Sequence, residues 1–183
     1  MSLALRLLDG HVPAVLRRVA LRALFATTAA GFGCPVPSLK GLDADALLRR
    51  YAQFSRDQAE AALRDGRDVP ALHDRLERGA RSLGARLRTG LRLHTTEDAM
   101  AAARVVYGLL NIDLHGNGRG EVTVRCCRFS EVYSAEVCRL VGALDSGLLA
   151  GLSESQRCDL RALLCVVHGQ VAEALGEELD LDG

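Results

Sequence analysis

Along most of the chain apolar residues recur every three or four positions, the spacing that lines one face of a helix. Leu16, Val19, Ala20, Ala23 and Thr27 follow Pro13, whose missing N–H is harmless in a first turn, and Gly31 and Gly33 are expected to end this helix. Asp43 is placed to cap a second helix with Leu47, Leu48, Tyr51, Phe54 and Ala62 on one face, ending near Asp65 and Gly66. A third, from about Val69, sets Leu72, Leu76, Ala80, Leu83 and Leu87 opposite a stripe of Arg78, Arg81, Arg88 and Arg92. Thr95 with Asp98 three residues on resembles a capping box, and predicts a fourth helix burying Ala99, Ala103, Val106, Tyr107 and Leu110. After Phe129, Ser130 is expected to cap a helix with Tyr133, Val137, Leu140, Val141, Leu144 and Leu148 inward.

The period changes at residue 112. Two short alternating runs flank Gly116-Asn117-Gly118-Arg119-Gly120, which predicts a β-hairpin with strands at 112–115 and 121–128. Centring the turn on Gly118 pairs Ile112 with Val124, Asp113 with Thr123, Leu114 with Val122 and His115 with Glu121. Ile112, Leu114, Val122, Val124 and Cys126 then share an apolar face, and Asp113, His115, Glu121, Thr123, Arg125 and Cys127 share the other. That second face is either a solvated surface or one side of a ligand site into which Arg125 and Cys127 look. Beyond it, Leu160, Leu163, Leu164, Val167, Val171 and Leu175 fit a helix, while 157–167 also reads as a strand closing the sheet. The expected fold is therefore α+β, a helical N-terminal half on a small antiparallel sheet with a central hairpin. Residues 1–40 form an N-terminal helix and connector, and 41–183 the ligand-binding domain.

Composition narrows the function classes. The formal net charge is zero, and 22 of the 23 basic residues are arginine, Lys40 being the one lysine. No global positive field recruits nucleic acid, and a chain without Trp and poor in aromatics offers no stacking platform for bases. The uncharged run at 23–39 is interrupted by Gly31, Gly33, Pro35 and Pro37, so no transmembrane segment is expected. Six cysteines in a chain of 183 residues, with Cys126 and Cys127 adjacent in a strand, indicate a reduced cytoplasmic protein. No Cys-x-x-Cys, P-loop or dinucleotide fingerprint occurs, so no cofactor is required, and zinc or haem ranks below an apo pocket. A small-molecule ligand is the expected partner, and self-association is left open.

Within that frame Cys127 is the candidate nucleophile, since a neighbouring cation such as Arg125 or His115 would favour its thiolate. Asp113 or Asp145 is the candidate base. Asp113, His115, Thr123, Tyr133, Cys138 and His168 are the candidate ligand-facing residues. The run Val124-Arg125-Cys126-Cys127-Arg128-Phe129-Ser130-Glu131-Val132-Tyr133, then Cys138, then Asp145-Ser146-Gly147-Leu148-Leu149-Ala150-Gly151-Leu152, resembles the L-2-amino-thiazoline-4-carboxylic acid hydrolase group. More remotely it resembles the 4-vinyl reductase small-molecule-binding domain. The resemblance spans roughly 99–152 and implies an α+β fold, a pocket between helices and sheet, a helix-ending glycine before the next strand, a strand at 157–167, and hydrolysis of a cyclic C–N bond in a thiazoline-type substrate. The competing reading is a non-enzymatic ligand-binding or sensor module. A third is an interaction protein whose helical half docks a partner.

Overall fold

The computed structural model describes residues 13–116, 122–153 and 162–163. Helix α1 (Ala14–Phe32) begins after Pro13 and stops at Gly33, which takes a left-handed φ of 70° and returns its N–H to the last turn. It does not stop at Gly31. That residue lies so close to Leu76 that an added Cβ would come within 2.5 Å of Leu76 Cδ2, so the glycine serves close approach rather than termination.

Helix α2 (Ala44–Arg64) is capped by Asp43, whose carboxylate accepts from the Ala46 N–H at 2.7 Å. Helix α3 (Val69–Leu91) is capped in the same way by Asp68, with Pro70 in its first turn. For α4 (Thr96–Leu109), Thr95 Oγ1 accepts from the Asp98 N–H at 3.0 Å while Asp98 Oδ2 accepts from the His94 N–H at 3.4 Å. Each cap satisfies a helix-end donor that would otherwise need water.

Strands β1 (Ile112–Gly116) and β2 (Val122–Cys127) run antiparallel, and a short 3-10 turn (Arg128–Glu131) leads to α5 (Ala135–Val141) and α6 (Ala143–Ser153). Ser134, not Ser130, caps α5 by accepting from the Val137 N–H at 3.3 Å. Ser130 Oγ donates instead to the Cys127 carbonyl, which suits the tighter turn. Gly142 separates α5 from α6 where one helix was expected. Of 157–167 only β3 (Ala162–Leu163) is described, and it lies parallel beside Val122 and Thr123.

The expected α+β architecture is overturned. The described chain is predominantly helical, and its helices pack on helices rather than on a sheet. Helix α3 is the hub, with its most extensive contact along α6 and a second along α1. The physical reason is that α3 has two faces to cover. Leu72, Leu76 and Ala80 are buried among leucines and aromatics of α1 and α6, while Gly84 lets α6 approach on backbone atoms. Among the described side chains the short strands supply Ile112 and Leu114 as buried hydrophobics, little apolar area against that of the helices. One core cluster joins residues of all six helices, including Leu21, Phe25 and Phe32 of α1.

The hairpin register also differs. Leu114 faces Val124, His115 faces Thr123 and Gly116 faces Val122, two residues from the expected pairing. A bulge then skips Arg125, so that Asp113 faces Cys126 and Ile112 faces Cys127. One extra residue inverts the parity of every later position in the strand, and Cys127 moves from the expected polar face to the side of Ile112.

Candidate functional site

The richest polar chemistry gathers where α2, α4, α5 and the start of α6 meet below the hairpin. Tyr107, buried on α4, donates from its hydroxyl to Asp145 Oδ1 at 2.8 Å. Asp145 lies in the first turn of α6, where a carboxylate suits the helix dipole. Its residue surface is partly exposed, yet protein atoms crowd the carboxyl. That desolvation outweighs the Tyr107 hydrogen bond and pushes its pKa up to about 6.

Helix α2 contributes Tyr51 and the fully buried Ser55, one turn apart. Ser55 Oγ donates to the Tyr51 carbonyl at 2.7 Å and lies 2.5 Å from the Tyr133 hydroxyl, while the Tyr51 hydroxyl sits 3.0 Å from Thr28 Oγ1 on α1. Phe129 stacks on the Tyr133 ring, with centroids 5.3 Å apart and planes 8° from parallel, and meets Tyr51 edge-on at 6.0 Å. Burial holds both tyrosines well above their ordinary range, so they are neutral hydroxyls.

Cys138, half-buried on α5, is pushed up to about 11, first by desolvation and then by the electrostatic influence of Cys127 and Asp145. It therefore carries its proton at neutral pH. Cys127 is half-buried and packed against the hydrophobic core. Of the expected site residues, Tyr133 and Cys138 lie within electrostatic reach of Asp145, and Cys138 of Cys127 as well.

Asp113 and His115 do not join them. They project to solvent and pair with each other, His115 Nε2 lying 2.9 Å from Asp113 Oδ1, because the bulge leaves them on the face opposite Cys127. The side chains of Thr123 and Arg125 and the whole of His168 lie outside the described residues. Sequence reading missed Tyr51, Ser55 and Tyr107 as site groups, taking the tyrosines for core. Ser55 carried a usable signal, being a hydroxyl on the apolar stripe that runs through Leu48 and Tyr51.

Two clefts open nearby among the described residues. One, of about 440 Å³, is lined by Asp45, Leu48, Arg49, Asn111 and Arg128. The other, of about 480 Å³, runs between α1 and α3 with Arg75, Arg78 and Arg86 along one side. Neither is lined by Cys127, Cys138 or Asp145, but the first shares α2 and the β2 exit with the polar cluster. Among the described residues no three His, Cys, Asp or Glu side chains gather as a metal site would require, and no helix is long and apolar enough to cross a membrane. Comparison with protein-family models, with curated proteins and with solved structures finds no match.

Proposed function

We propose that this chain is a small-molecule-binding protein whose ligand meets the cluster of Tyr133, Cys138, Asp145 and Cys127, with Asp145 exchanging a proton with it. The observation that carries the reading is the Asp145 carboxyl, crowded by protein atoms, hydrogen-bonded to Tyr107 from another helix and within electrostatic reach of Tyr133 and Cys138, in a setting where polar groups are costly without a task or a partner. Asp145 is a base poised near neutrality, beside the Tyr107 hydroxyl and within electrostatic reach of Tyr133 and Cys138, which stay protonated. That set suits a polar heterocycle or amide which accepts hydrogen bonds and exchanges a proton. We place the protein in a reducing compartment such as the cytoplasm.

The likeness of 124–152 to the L-2-amino-thiazoline-4-carboxylic acid hydrolase group supports a second reading, in which Cys127 attacks the electrophilic ring carbon of a thiazoline-type substrate. The test titrates wild type, Asp145→Asn and Cys127→Ser with a panel of small polar amides and heterocycles, including 2-amino-thiazoline-4-carboxylic acid, following binding by calorimetry and ring opening by NMR. Binding weakened about tenfold or more in Asp145→Asn, equivalent to ~1.4 kcal/mol, is the expected result. Turnover lost in Cys127→Ser with binding kept would establish the hydrolase, and binding without turnover in wild type the sensor module. A wild-type protein that binds no member of the panel defeats both.

A further inference from the structure

The cleft at the N-terminal end of α2 has a lining chemistry distinct from that of the Asp145 cluster. Its polar residues are Asp45, Arg49, Asn111 and Arg128. The one acid is already neutralised, because Arg17 on α1 holds Asp45 Oδ1 at 2.8 Å. The same guanidinium donates to the Leu109 carbonyl at 2.8 Å and to Asn111 Oδ1 at 3.1 Å. Arg17 thereby consumes the acceptor of the Asn111 amide and leaves its NH₂ donors. Asn111 is held for this by a left-handed backbone, φ 56°, with its N–H bonded to the Gly108 carbonyl at 3.1 Å.

Arg49 and Arg128 make no hydrogen bond or ion pair with any described residue. Beside the Arg17-paired Asp45, the polar groups lining the cleft are thus two guanidinium forks and an amide, so donors and positive charge predominate. Guanidinium forks match the paired oxygens of carboxylates and phosphates, and the cleft volume of about 440 Å³ lies within the range of small-ligand sites.

We propose that this cleft is a binding site for the oxyanion of a small molecule, a carboxylate or a phosphate, held by Arg49 and Arg128 with Asn111 as a third donor, and that Arg17 is the positioning residue that offsets the Asp45 charge and orients the Asn111 amide. The site uses no residue of the Asp145 cluster, so it stands or falls apart from the function proposed above.

The experiment titrates the full chain with inorganic phosphate and, separately, with sodium acetate in salt-matched buffer, following backbone amide shifts around Asn111 and Arg128 by NMR. Saturable shifts are expected. Binding of phosphate alone assigns a phosphorylated ligand, binding of acetate alone a carboxylate, and binding of both a site that reads only the paired oxygens. Arg49→Gln and Arg128→Gln should each weaken binding about tenfold, and Asn111→Asp, which puts a charge where the amide donor stood, should abolish it. Arg78→Gln, in the separate α1–α3 groove, should leave affinity unchanged. Both cleft arginines are exposed, so circular dichroism should report an intact fold in the variants. Absence of saturation with either ion, or affinity undiminished in both Arg→Gln variants, overturns the proposal.

Discussion

Asp145 is where two opposed effects can be weighed on one side chain. The start of α6 and the Tyr107 hydroxyl both favour its charge, yet desolvation disfavours it more, and the carboxyl titrates near 6 rather than near its ordinary value. A carboxyl whose pKa is raised by folding binds its proton more tightly in the native state than in the unfolded one. Stability must therefore fall as pH rises from about 4 to about 6, by on the order of 3 kcal/mol, and stay lowered above that window. Asp145→Asn keeps an acceptor for Tyr107 and removes the titration. Urea unfolding at intervals between pH 4 and pH 7 should show the wild-type decline flattened in the variant. Parallel curves would mean that Asp145 is not the group responsible.

Helices α3 and α6 meet on glycines, and this contact sets the architecture. A Cβ at Gly147 would come within 2.1 Å of the Glu77 carbonyl oxygen, one at Gly151 within 2.2 Å of the Arg81 carbonyl oxygen, and one at Gly84 within 2.4 Å of the Leu148 carbonyl oxygen. All three obstacles are backbone, which cannot turn aside as a side chain can. Gly147→Ala should force the helices apart and cost roughly 1–3 kcal/mol or more, the usual range for an overpacked core. Gly90, on the same α3, has open space where its Cβ would be, so Gly90→Ala should stabilise by up to about 1 kcal/mol through helix propensity. Chemical denaturation of the two variants tests the contrast, and equal effects would mean that the helices do not meet this closely. Gly151 lies inside α6 at this contact.

At the scale of the molecule, the six helices of the described residues close around one core, with the hairpin as a small attachment that carries Cys127 to the edge of the polar cluster. Cys34, Cys127 and Cys138 are outside any disulfide. Titration of protein purified without oxidant and then denatured should find six thiols. In the native state Cys138 should alkylate far more slowly than a free cysteine near pH 8, since burial keeps it protonated. Recovery of internal disulfides under those conditions would contradict a reducing compartment.

The sequence by itself determined the helices α1 to α4, the buried faces of α2 to α4 and several of their caps, whereas the α1 stripe expected through Leu16 and Val19 is exposed and that helix buries Leu21, Phe25, Ala29 and Phe32 instead. Asp43 reaches Ala46 and Thr95 reaches Asp98, both within three residues, and Leu72 and Leu76 share a face whatever they pack against. These are interactions of near neighbours, written in local spacing. Cys127, Tyr133, Cys138 and Asp145 were also legible as a chemically promising set, though not the geometry that gathers them. Tertiary structure decided that helices would cover helices, because the close approach at Gly84, Gly147 and Gly151 depends on which backbone arrives opposite. It decided the bulge at Arg125, and with it the face of Cys127, since either register leaves an alternating pattern on paper. It decided the site's partners as well. Tyr107 meets Asp145 across 38 residues and Ser55 meets Tyr133 across 78, and the desolvation that tunes Asp145 exists only once those segments have packed together.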